Sequence, residues 1–141
     1  MNTKAFILAA CTALACLAGL PAIAHDSGET VTPSLSRPIP NIPGKSLVAV
    51  VVDYAPGGTS LPHVHAGSAF VYAYVVSGAI KPQVNDEPAH IYRAGESFVE
   101  LPGAQHRISR NASRIIPARL LAVFVVDTGD QNLTIPITQG E

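Results

Sequence analysis

Apolar positions in this chain fall into short runs cut by glycine and proline, and no run keeps a 3.6-residue period with helix caps. Leu47 to Tyr54 is a β-branched run stopped by Pro56-Gly57-Gly58, which predicts a strand. Ala69 to Val76 is apolar at nearly every position and predicts a central strand covered on both faces, ended by Ser77-Gly78. Ala79 to Val84 predicts the next strand, Asn85-Asp86-Glu87-Pro88 a hairpin turn and Ala89 to Arg93 the return. Ser97 to Leu101, His106 to Ser109 and Arg119 to Asp127 predict three more strands, the last around the buried run Leu120 to Val126. Leu133 to Ile137 reads as one further edge strand. About eight short strands between Gly/Pro turns predict an all-β sandwich or barrel, in a single domain without internal repeats.

The first residues follow different rules. Lys4, an apolar run from Ala5 to Leu20 and Ala22-Ile23-Ala24 make a secretory signal peptide over 1–24, cleaved after Ala24. The run is too short and too poorly flanked for a membrane anchor. A lipobox reading of Leu8-Ala9-Ala10-Cys11 leaves too few residues ahead of it for a normal hydrophobic region. Cys11 and Cys16 both lie in the signal, so the mature chain reaches a periplasmic or secreted location without a thiol and relies on its core for stability. Residues 25–46 carry Pro33, Pro38, Pro40 and Pro43 and read as an extended arm. Residues 47–127 then form the barrel and 128–141 a tail or edge strand. Cleavage leaves His25 at the new N-terminus, where an amine and an imidazole can chelate copper, but no partner ligand lies nearby in the chain.

Charge excludes some partners. Losing Lys4 reduces the nine basic residues to eight against ten acidic ones, with no Lys/Arg stripe, so nucleic acid and anionic membrane are not expected partners. The absence of tryptophan argues against a sugar-stacking module. The chemistry instead concentrates in His63-Val64-His65. In a strand, residues i and i+2 share a face, so both imidazoles can aim at one point. Imidazole is the commonest protein ligand for Zn, Fe, Cu and Ni.

With a third histidine, the chain resembles the cupins, small double-stranded β-helix (jelly-roll) barrels. Gly57 is followed after five residues by His63-Val64-His65, and the strand closes at Gly78. Gly95 is followed after five residues by Leu101, then Pro102-Gly103, two residues and His106. The resemblance spans roughly Leu47 to Asp127. Leu101 stands where the family has proline. The family's glutamate has no counterpart: its position falls on Ala69 or Phe70, or on Val71 when counted back from Gly78, and no carboxylate lies between His65 and Gly78. Of the four family ligands, His63, His65 and His106 carry over.

The resemblance implies a divalent transition metal on these three histidines, with iron(II) first and Mn, Ni, Cu and Zn as alternatives. It implies a metal-dependent dioxygenase or lyase for a small organic molecule, or else a non-catalytic cupin that binds a metal or small ligand. Glu100, Glu96, Tyr72 and Tyr74 are the candidates for a fourth role. Glu100, just before the second motif's loop, is either a catalytic group beside the metal or a solvated loop carboxylate. Tyr72 and Tyr74 read as core or dimer-seam residues, Glu96 as a surface turn and His90 as an exposed histidine. An uncovered sheet face or edge makes a homodimer the expected assembly.

Overall fold

The computed structural model describes residues 27–138. The signal peptide, Cys11, Cys16 and His25 therefore lie outside the described residues. Ten strands run in chain order: β1 (Glu29–Pro38), β2 (Lys45–Tyr54), β3 (His63–His65), β4 (Phe70–Ser77) and β5 (Ala79–Val84), then β6 (Tyr92–Arg93), β7 (Ser97–Glu100), β8 (Gln105–Asn111), β9 (Ala118–Asp127) and β10 (Thr134–Pro136). They form two five-stranded antiparallel sheets, ordered β1-β2-β9-β4-β7 and β10-β3-β8-β5-β6. This is an all-β jelly-roll sandwich, with no helix among the described residues long and apolar enough to cross a membrane.

Strand alternation decides which residues meet inside. On β9, Ala118, Leu120, Ala122, Phe124 and Val126 turn inward, opposite Val71, Ala73 and Val75 of β4. Ile80 and Val75 are fully buried and anchor the apolar cluster at one end of the sandwich, with Val52 and Leu120. A second cluster around Val71, Phe124 and Val126 packs at the other end, behind the histidines. Gly78, which closes the first motif, has φ of 70°, and a Cβ there would stand 2.6 Å from the Pro117 carbonyl oxygen. Only glycine fits that turn.

Several expectations need correction. The apolar run of β4 is not covered on both faces: Phe70, Tyr72 and Val76 point out of the sheet and are exposed. Its second face is apolar because it belongs to a broad outer surface of that sheet, with Val99 of β7 alongside. The return strand after the hairpin shrinks to Tyr92–Arg93, because only Ala79 and Ile80 of β5 find partners there. Ahead of it, Asn85 takes φ of 52° and Pro88 has no N–H to give a ladder.

The proline-rich segment is a strand. β1 runs along β2 from Glu29 opposite Tyr54 to Pro38 opposite Ser46, with a bulge between Pro33 and Leu35. Prolines are tolerated there because β1 is the sheet edge, where half of the N–H groups face no neighbour. At the other end of the chain, β10 pairs with β3, so the tail forms the edge beside the histidine strand.

Candidate metal centre

The local sequence explains how the three histidines meet. Gly57 and Gly58 turn the chain after β2, and Pro62 leads into β3, where His63 and His65 flank Val64. β3 lies antiparallel to β8 with His63 directly opposite His106. The His65 N–H donates to the Ala104 carbonyl at 2.9 Å, fixing the register. The side-chain nitrogens of His63, His65 and His106 consequently lie within 4.8 Å of one another. His65 and His106 are buried, and His65 rests edge-on against Phe124 at 5.3 Å between ring centres. Three imidazoles converging from adjacent strands form a cluster able to hold a divalent transition metal.

Backbone carbonyls select the ring nitrogen presented to the ion. His63 Nδ1 lies 2.8 Å from the Leu61 carbonyl oxygen, and His65 Nδ1 lies 3.1 Å from that of Leu133. When each Nδ1–H donates to its carbonyl, the Nε2 lone pair is left free for a metal. Burial pushes His63 down to about 4, so its ring is neutral at pH 7, as a ligand must be.

Glu100 is not a solvated loop carboxylate. It ends β7, is 3 % exposed, and shares an inward face with Phe98 two residues earlier. One of its oxygens lies 3.0 Å from His65 Nε2 and 2.6 Å from His106 Nε2. Burial alone would push its carboxyl up, but the contacts with His106 and His65 outweigh that and hold it down at about 2. Burial likewise opposes charge on His65, and the Glu100 carboxylate reverses the balance and raises it. Even so, Glu100 Oε2 and both His106 ring nitrogens have no hydrogen-bond partner. Such buried polar atoms, held close together and unpaired, suit a shared cation.

The other candidates lie elsewhere. Tyr72 is on the outer face of β4, and Tyr74, two residues on, shares that side. Glu96 is exposed in the turn before β7, where its carboxylate accepts the Arg93 N–H at 2.5 Å. His90 is exposed and packs against Tyr92, with ring centres 4.6 Å apart.

The histidines open into a cavity of about 260 Å3 between the sheets, walled by aliphatic side chains such as Val52, Val71 and Leu120. No Lys or Arg occurs among its described lining residues. A group of hydroxyls also faces it, unnoticed in the sequence because Ser109 lies 55 residues from Tyr54 in the chain. Tyr54 Oη lies 2.7 Å from Ser60 Oγ and 2.9 Å from Ser109 Oγ, and Ser60 in turn donates to Glu29. Burial pushes the Tyr54 phenol up to about 12, so it remains protonated.

Known proteins agree with this architecture. A family model described as a cupin domain matches residues 50–124. An oxalate oxidase solved with glycolate is 25 % identical, with a TM-score of 0.57 over 73 % of this chain and 53 % of that one. This chain thus spans about half the length of that oxidase. A Klebsiella pneumoniae protein with a double-stranded β-helix domain is 18 % identical, with a TM-score of 0.62 over 81 % of this chain and 88 % of that one. A Thermus thermophilus protein is 26 % identical, with a TM-score of 0.56 over 74 % and 90 %. No curated protein matches the sequence. Two opposed sheets, a histidine pair on one strand and a third histidine on its neighbour account for the match, and the chain belongs to the cupin family.

Proposed function

We propose that this protein is an exported, metal-dependent cupin enzyme, a dioxygenase or lyase, that acts on a small organic molecule. The observation that carries this reading is the convergence of His63, His65 and His106, with the Glu100 carboxylate beside His65 and His106, on an apolar cavity of about 260 Å3. The donor set fits iron(II) first, with Mn, Ni, Cu and Zn also served by such ligands. When bound, the metal supplies Lewis acidity and, for iron, manganese or copper, electron transfer.

The chain's own residues divide the remaining work. The carbonyls of Leu61 and Leu133 orient two of the imidazoles, and the aliphatic walls make the surroundings of the reacting end largely apolar. Glu100 belongs to the reaction centre through its contacts with His65 and His106. The lining carries two carboxylates, Glu29 and Glu100, and no cation among its described residues. With the metal as the one positive charge at the site, the mostly aliphatic lining supports a small, largely apolar substrate whose hydroxyl or carbonyl meets the metal or the Tyr54 hydroxyl group. Export rests on the 1–24 segment, and a homodimer on the exposed apolar side chains outside β4 and β7.

The deciding experiment is metal analysis of untagged mature protein, followed by oxygen uptake with a panel of neutral hydroxylated compounds. Stoichiometric redox-active metal, lost in His63→Ala, His65→Ala or His106→Ala, together with turnover, is the expected result. A zinc-filled or empty site without turnover would instead make the protein a non-catalytic binder.

A further inference from the structure

The geometry points to Glu100 as the fourth ligand of the metal centre, delivered by β7 in place of the carboxylate that the cupin pattern, counted back from Gly78, puts on β4 at Val71. The inference rests on the metal-binding reading above and assigns Glu100 the role of holding the ion.

Register makes the exchange feasible. In the β4–β7 ladder Val71 stands directly opposite Glu100. Directly opposed residues of antiparallel strands project to the same face, with Cβ atoms about 4.5–5.5 Å apart. A carboxylate moved from Val71 to its cross-strand partner therefore still enters the same cavity from the same wall. Both positions are buried and both line that cavity. The vacated position holds valine, which is short enough to leave the space in front of the histidines to the Glu100 side chain.

Distances agree. Bonds of about 2.1 Å at right angles set neighbouring donor atoms of one ion about 3 Å apart. The Glu100 oxygen lies 3.0 Å from His65 Nε2 and 2.6 Å from His106 Nε2. Neither that oxygen nor the His106 nitrogen is hydrogen-bonded, so the two donor atoms lie side by side without an aligned N–H···O bond. The loop Leu101 to Ala104 joins Glu100 to β8 and sets Glu100 and His106 on the two arms of one turn. The second motif thereby supplies a histidine and the carboxylate, and the first supplies the remaining two histidines.

Two metals and a strand swap test this. Mature protein stripped of metal is titrated with Mn(II), followed by the electron paramagnetic resonance of the free ion, and separately with Cu(II) by calorimetry. Carboxylate ligands suit manganese, whereas imidazole suffices for copper. Loss of groups that only orient ligands costs about 10–100-fold in affinity, so loss of the ligand itself in Glu100→Val is expected to weaken Mn(II) about 100-fold or more. Cu(II) binding should fall much less, a split that mere structural damage would not produce. The double variant Val71→Glu/Glu100→Val returns the carboxylate to β4 and should recover Mn(II) binding to within about 10-fold of the parent. Glu100→Gln, nearly isosteric, gives the same metal split if the valine variant fails to fold. Mn(II) affinity unchanged in Glu100→Gln or Glu100→Val, or an equal loss for both metals, overturns the assignment while leaving the three-histidine site standing. A parent protein that binds neither ion overturns the metal reading itself.

Discussion

Tyr54 shows how one side chain can serve fold and cavity together. Its ring packs in the apolar cluster with Val75 and Ile80, and its hydroxyl faces the cavity between Ser60 and Ser109. With the phenol raised to about 12 by burial, one of the chain's four tyrosines should ionise only near that pH in a spectrophotometric titration. Tyr54→Phe should remove that late step. It should also cost about 1–3 kcal/mol in urea unfolding, because two buried serines lose a partner. At this scale the sequence was legible where chemistry repeats at fixed spacing, as in His63, His65 and His106. It was not legible for Glu100, since Ser97-Phe98-Val99-Glu100 mixes polar and apolar residues on both faces and the alternation names no inner side. The Leu61 and Leu133 carbonyls that orient the histidines leave no trace in side-chain identity at all.

Among elements, the long strands were readable because β-branched runs bounded by glycine and proline have few other outcomes. The prolines of β1 hid a strand, since propensity counts against them in a sheet interior but not at its edge. The turn between β4 and β5 depends on one residue. Gly78→Ala would force a Cβ against the Pro117 carbonyl and keep a positive φ on a residue that resists it. The expected loss is about 2 kcal/mol or more in chemical denaturation, with metal stoichiometry retained in the folded fraction, because the histidines sit on β3 and β8. Complete loss of metal from folded Gly78→Ala protein would show that this turn also governs the site.

For the whole molecule, the two faces of the five-stranded sheet that contains β4 tell different stories. The inner face carries the core and the cavity, and its composition follows from burial. The outer face keeps Phe70, Tyr72, Val76 and Val99 in solvent, with exposures of 39, 41, 47 and 55 %. If that surface is the seam of the proposed homodimer, Tyr72→Glu should convert the protein to a monomer in sizing chromatography with multi-angle light scattering, leaving its circular dichroism unchanged. An unaltered elution mass would place the interface elsewhere or remove it.

The pairing of β10 with β3 reaches further than its three residues suggest. Leu133, just ahead of β10, lends its carbonyl to the His65 ring, so the last of the described strands steadies one of the three candidate ligands. A purification handle fused past that point, or a protease nick there, is therefore expected to disturb the His65 imidazole through the Leu133 carbonyl.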